Sequence, residues 1–181
     1  MKKIGRIVIL LVGVVVLIVG AALAYVKLAL PNVGPPPELT IRADSAQIAH
    51  GGYLANHVAL CMDCHSTRDW TKTAGPMVVG TNGKGGESFP REMGFPGQYY
   101  APNITPTGLK DWTDGEIYRA VTTGVSRDGR ALFPVMPYPN FAKMSPQDVR
   151  GCLSFCFTNS PRHDSYPHYW TLMVGNSKKR G

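Results

Sequence analysis

Cys61-Met62-Asp63-Cys64-His65 places two thiols and an imidazole within one short stretch. Two cysteines three positions apart at a helix end can reach the two vinyl groups on one porphyrin edge and form thioethers. The next residue then sits beneath the iron, where the His65 imidazole can ligate it. C-x-x-C-H is accordingly the attachment pattern of c-type haem. Three other chemistries use the same residue types. A C-x-x-C pair can be a thiol–disulfide redox site, which expects a βαβ pattern around it; the flanking sequence shows none. The pair can be half of a zinc site completed by Cys152 and Cys156, although their C-x-x-x-C spacing suits zinc poorly. Cys61 and Cys64 can also pair with each other in an oxidising compartment, closing a strained two-residue loop. Haem attachment is the leading reading.

A haem iron held by a histidine takes its second axial ligand from elsewhere in the chain. A methionine thioether is soft and raises the reduction potential. Met136 lies in Phe133-Pro-Val-Met-Pro-Tyr-Pro139, where three prolines fix the backbone and present the side chain without further ordering. Met77, Met93 and Met144 are rivals, and His163 and His168 would serve a bis-histidine site. His50 and His57 fall on the attachment helix and read as surface or packing residues.

The elements that must carry these groups are short. Residues 45–65 form a helical stretch with a loose apolar face, and Ser45 is a candidate cap. Residues 66–110 are rich in Gly and Pro and read as loop. Thr113-Asp-Gly-Glu116 is a capping box that opens a helix ending at Gly124. A second loop spans 125–143. Ser145, Pro146 and Asp148 then start a third helix as cap, first-turn proline and first-turn acid. With Gly 20 and Pro 15 in 181 residues and no fixed period, collagen is excluded and a loop-rich fold is expected. So thin a core requires a filler such as a metal or a large cofactor.

The net charge of +7 is confined to the ends. Lys2, Lys3, Arg6 and Lys27 account for one excess and Lys178, Lys179 and Arg180 for the other, leaving a neutral body. No basic face is left for a phosphate backbone, so nucleic acid is not an expected partner. From Ile7 to Tyr25 there is neither charge nor proline, a run long enough to cross a bilayer as a helix. The cations before it orient the rest of the chain outside the cytoplasm. A cleaved signal peptide is the rival, with Ala22-Leu23-Ala24 in the form of a cleavage site. Pro31 to Pro37 reads as a stiff spacer that lifts the following domain off the membrane.

Four segments taken together resemble the membrane-anchored bacterial class I cytochromes c, including cytochrome subunits of periplasmic dehydrogenases. They are YLANHVALCMDCHSTRDW, APNITP, WTDGEIYRAVTTGV and DGRALFPVMPYPNFAKMS, within about Pro31 to Val149. The resemblance implies a small all-α domain of three short helices and long loops around one covalently bound haem c, behind an N-terminal transmembrane helix. It implies that Cys61 and Cys64 hold the haem, with His65 as proximal and Met136 as distal ligand. Asn103 and Thr105 would line the haem edge near the propionates. Trp112 would pack beside the second helix, and Arg119 would face a propionate or solvent. Two departures stand out. Related proteins often carry two haem domains in tandem, and this sequence has one C-x-x-C-H. After Val149 the regular amphipathic pattern is lost, with Cys152 and Cys156 in place of aliphatics and Pro161 close behind, which suggests a truncated or frame-shifted end and a compromised third helix.

The expected organisation is an anchor over 1–30, a Pro-rich linker over 31–44, a cytochrome c domain over 45–160 and a divergent tail over 161–181. The expected function is single-electron transfer between redox proteins, such as a dehydrogenase or a terminal oxidase, at the outer face of the inner membrane. The alternatives are the electron-accepting subunit of a dehydrogenase complex and a thiol–disulfide oxidoreductase using Cys61 and Cys64.

Overall fold

The computed structural model of the chain describes residues 2–41 and 44–159. His163, His168, Pro161 and the expected tail lie outside the described residues. The first element is α1, Lys2–Ala29. Among the described residues its apolar side chains are exposed. The candidate span covers the 27 residues Lys3–Ala29 around the charge-free run, which at about 1.5 Å per residue is roughly 40 Å and exceeds a hydrocarbon core. By length and composition α1 can cross a membrane; a signal sequence passes the same test.

The segment after α1 is not a free spacer. The backbone amide of Ile41 donates to Asp114 Oδ2 at 2.6 Å, and Arg119 donates to the Gly34 carbonyl at 3.4 Å. The prolines thus lay the chain along the domain instead of holding it away.

The haem-motif helix is built in pieces. Helix α2, Ser45–Tyr53, is capped by Asp44, whose carboxylate accepts from Gln47 N at 2.8 Å; Ser45 is the first helical residue, not the cap. The run then widens into a π-helical turn, Leu54–Val58. Leu60 sits in the left-handed region (φ 53°) and breaks the helix before a single turn, α3, Cys61–Cys64. A leucine at positive φ is strained, and such strain persists where surrounding structure fixes it. The loop that follows holds one small antiparallel ladder, β1 Ser88–Phe89 against β2 Tyr99–Tyr100.

Helix α4, Asp114–Thr123, is closed by the expected capping box, with Thr113 N donating to Glu116 Oε2 at 2.7 Å and Glu116 N to Thr113 Oγ1 at 3.2 Å. A short turn, α5, Tyr138–Phe141, precedes α6, Pro146–Asn159. Ser145 caps α6 by accepting from Asp148 N at 3.0 Å. The expectation of three helices is therefore corrected among the described residues: α3 and α5 are separate turns, one made by the Leu60 kink and the other by the proline-rich loop.

Helix α6 is also not compromised as far as Asn159. It docks on α2 by a backbone-to-backbone approach of Gly51 and Gly151, where a Cβ on Gly51 would lie 2.9 Å from Cys152 N and nearer still to the Gly151 carbonyl. His50 Nε2 and Asp148 Oδ1, 3.0 Å apart, tie the same two helices at the surface. Two small clusters form the core: Leu109, Ile117, Val149 and Leu153 between α4 and α6, and Leu54, Ala55 and Cys152 between the π-turn and α6.

Candidate cofactor site

Met144 packs on both clusters, and members of each line a cavity of about 440 Å³, within the range of cofactor sites. Its wall includes Cys61, Cys64, His65 and Met136, so the motif and the far loop converge on one space although 71 positions separate His65 from Met136. The rest of the wall is almost wholly apolar, with Leu109, Ile117, Leu132 and Leu153 among its members.

His65 is held by its backbone and its ring. The Gly85 amide donates to the His65 carbonyl at 2.8 Å, and His65 Nδ1 pairs with the Pro102 carbonyl at 2.8 Å. A carbonyl accepts only, so Nδ1 carries the proton and Nε2 keeps its lone pair for a ligand. Gly85 makes the two contacts compatible. At φ +75° it lies so close to the 101–102 peptide that a Cβ would meet the Ala101 carbonyl at 2.5 Å. Burial pushes the imidazole below its ordinary value, with the Pro102 contact opposing. The neutral form, the one that binds metals, is favoured.

Met136 reaches the cavity on a loop clamped at both ends. Leu132 N donates to the Gly124 carbonyl at 2.7 Å, at the C-cap of α4, and Tyr138 N donates to the Met136 carbonyl at 2.8 Å. Arg119 secures the start of the loop by donating to the Ser126 carbonyl at 2.7 Å. Met136 is the one methionine in the cavity wall among the described residues. Met77 and Met93 are exposed, and Met144 is half-buried in the core clusters.

Asn103 and Thr105 are turned on each other. Asn103 Oδ1 accepts from Thr105 N at 2.8 Å and from Thr105 Oγ1 at 2.7 Å, an Asx turn. Their neighbours Pro102 and Ile104 take the cavity wall. Arg119 is buried on backbone carbonyls and faces neither the cavity nor solvent. The cation in the wall is Arg130, in Asp128-Gly-Arg130, which the sequence reading passed over. Its Nε lies 3.8 Å from Asp128 Oδ2. The D-G-R turn next to the methionine loop was the available signal. Trp112 packs on the Leu109–Leu153 cluster and lines the cavity. At the rim, Tyr99 and Phe133 stack with centroids 4.2 Å apart, and Phe95 meets both edge-on.

The four cysteines are free thiols, and all four line the cavity. Burial pushes Cys64 up. Cys61 is pushed well up, first by its hydrogen bond with Cys152 and then by burial, while Cys152 is lowered by the same bond. Cys156 is pushed up by burial to about 12. A thioredoxin-type nucleophile needs a lowered thiol in the C-x-x-C pair, and neither Cys61 nor Cys64 has one. The residues fit a covalently held haem: an apolar cavity, two thiols on one edge, and two soft or borderline donors in its wall.

No family model matches the chain. Among curated proteins it is 31% identical over 117 residues to the gluconate 2-dehydrogenase cytochrome c subunit of Pantoea cypripedii, covering 63% of this chain and 23% of that one. It is 32% identical over 117 residues to an alcohol dehydrogenase (quinone) cytochrome c subunit of Gluconobacter oxydans, covering 62% and 21%. A dihaem cytochrome c-type protein of Cereibacter sphaeroides is 27% identical over 128 residues, covering 65% and 40%. The chain thus spans about a quarter of the length of the two dehydrogenase subunits, and within that span it resembles cytochrome c subunits of dehydrogenases and a dihaem cytochrome c.

Proposed function

We propose that the chain is a membrane-anchored c-type cytochrome that passes single electrons outside the cytoplasm. One observation carries this reading: Cys61, Cys64, His65 and Met136 share the wall of one apolar cavity. Cys61 and Cys64 hold one haem by thioethers, and His65 and Met136 ligate its iron. When bound, the haem supplies a one-electron Fe(II)/Fe(III) couple. The chain supplies the rest. Pro102 fixes the His65 tautomer, the prolines around Met136 present the thioether, and the apolar wall excludes water, which holds the potential up. Arg130, in the cavity wall, would neutralise a propionate carboxylate, the part the resemblance offered to Arg119. Asn103 and Thr105 shape the turn that carries Ile104 to the wall. Helix α1 anchors the domain, and its basic flank keeps Lys2, Lys3 and Arg6 in the cytoplasm. The tether raises the concentration of the carrier near partners in the same membrane.

The names of the relatives favour a second, narrower reading, that the electron donor is a dehydrogenase with which this chain associates. Expression in a host that attaches haem to exported proteins tests the first reading. A haem stain that survives a denaturing gel and c-type absorption bands are expected. Their absence from exported chain extracted folded in detergent overturns it. Co-purification of a dehydrogenase catalytic subunit with the detergent-extracted chain tests the second.

A further inference from the structure

Cys152 and Cys156 are buried on α6 and have no part in the function just proposed. They are not remote from it. The Cys61 side chain packs on the cluster formed by Leu54, Ala55 and Cys152, and Cys61 and Cys152 line the same cavity wall. The contact is fixed from both sides. Cys152 follows Gly151, which is held against Gly51 at the helix crossing. Cys61 follows the left-handed Leu60, which aims the single turn α3. Cys64 instead has Asp63, Glu87 and Arg68 as its charged neighbours. The protein thus holds one haem-attachment thiol against a third thiol, in a domain that the proposed topology puts in an oxidising compartment.

We propose that Cys152 is a redox partner of Cys61: before haem is attached the two form a reversible disulfide, which withholds Cys61 from thioether formation until a dithiol reduces it. The blocking half of this inference rests on the haem reading; the disulfide itself does not. The oxidant is a disulfide of the glutathione class. A first exchange leaves Cys61 as a mixed disulfide and releases one thiol. The Cys152 thiolate, its proton given to water, attacks the Cys61 sulfur, forms the new S–S bond and expels the second thiolate, which takes up a proton. The two electrons and two protons lost by the cysteines are those gained by the oxidant. A dithiol reductant runs the exchange backward and is itself oxidised to a disulfide. Once Cys61 is a thioether it has no thiol to give, so Cys152 is left as a buried free thiol.

The test uses the full chain made without haem attachment, in detergent, equilibrated with oxidised glutathione, quenched with an alkylating agent and digested with trypsin. The expected product joins the peptide 43–68 to the peptide 151–162, and fragmentation places the link on Cys61 and Cys152. The link is lost in Cys152→Ser and kept in Cys156→Ser. A Cys61–Cys64 bridge as the main product, a link through Cys64 or Cys156, or unlinked peptides overturns the proposal. If Cys152→Ser does not fold, the fragmentation map of the unsubstituted chain decides alone. A parallel sample, reduced with dithiothreitol and incubated with ferrous haem, reports separately on the haem reading. Covalent haem there, with less in the oxidised sample, is expected. No covalent haem in the reduced sample sinks the haem reading and leaves the peptide map to decide the disulfide. Equal haem in both samples overturns the blocking step.

Discussion

Replacing Gly51 by alanine adds one methyl group where α2 crosses α6. In the interior of a helix that change is by itself favourable by about 1 kcal/mol, because alanine loses less backbone freedom than glycine. The surroundings reverse the sign. The new Cβ would stand 2.9 Å from Cys152 N and closer to the Gly151 carbonyl, and both are backbone atoms that cannot rotate away. The helices must separate by more than an ångström, which loosens Val149, Leu153 and Cys152 as well. Overpacking of this kind typically costs about 1–3 kcal/mol, and a clash with two backbone atoms belongs at the top of that range, so a net loss of about 2 kcal/mol remains after the helix gain. Gly151→Ala is the control, since its Cβ would meet nothing nearer than the Gln47 carbonyl at 3.4 Å. The helix term then stands almost alone, and that variant should match or exceed the parent in stability. Gly52→Ala should fall between, because its 2.9 Å contact is with the Phe155 ring, which can turn. The assay is thermal unfolding of the full haem-loaded chain in detergent, followed by far-ultraviolet circular dichroism, with α1 as a constant background. A domain of this size should lose roughly 10 °C in Gly51→Ala. If Gly51→Ala is as stable as Gly151→Ala, the α2–α6 crossing described above is wrong.

Met136→Ala should keep its covalent haem but lose the red-edge charge-transfer band of methionine-ligated ferric haem, with a lower reduction potential, whereas Met93→Ala should change neither; persistence of the band in Met136→Ala assigns the ligand elsewhere. Arg119→Met keeps the alkyl stem but leaves the buried Ser126 carbonyl without its donor, and an unfolding free energy lower by about 1–3 kcal/mol, read from guanidinium chloride titration, is expected. The carboxyl of Asp148 is held below its usual range, first by the hydrogen bond with His50 and then by that with Ser145. A depressed native value stabilises above the unfolded one and is lost as pH falls through the native one. The parent should therefore lose stability below about pH 4 more steeply than Asp148→Asn, by only about a few tenths of a kcal/mol because the pair is largely exposed. Equal slopes would show that the contact is not made in solution.

How much of this was legible in the sequence varies with the range of the interaction. The capping box at Thr113 and Glu116 and the Ser145 cap are local hydrogen bonds between near neighbours, and the residue pattern alone located them. The C-x-x-C-H pattern is local in the same way, since five consecutive residues carry the proposed chemistry. The helix breaks were not. Leu60 is an ordinary helix former, and only the packing around it forces a left-handed conformation. Arg119 and Arg130 show the limit most clearly. Both are arginines close to the methionine loop, and a resemblance can suggest that one of them faces a carboxylate. Which one does so depends on where the loop carbonyls of Ser126 and Arg127 end up, and these capture Arg119. The pairing of Cys61 with Cys152 was hidden in the same way, because 91 positions separate them and only the approach of two glycines brings them together.

The cavity and the core of this domain are one problem. Leu109, Ile117, Leu153 and Cys152 belong to the two core clusters and also line the cavity. Left as a dry void, about 440 Å³ would cost on the order of 10 kcal/mol at ~24 cal/mol per Å³, as much as the whole stability of an ordinary domain. Water entering at the aromatic rim relieves part of this, yet it wets a wall that is nearly all apolar. The Gly- and Pro-rich loops add little apolar burial of their own. A flat apolar group bonded to α3 and ligated from the methionine loop would fill the cavity that members of both clusters line. On this argument haem attachment completes the core beside an α2–α6 crossing that the haem-free chain already makes, as well as loading a redox centre. A bond that withholds Cys61 would then delay both at once, and the thiol pairing of α3 with α6 becomes a control on when the domain acquires its core.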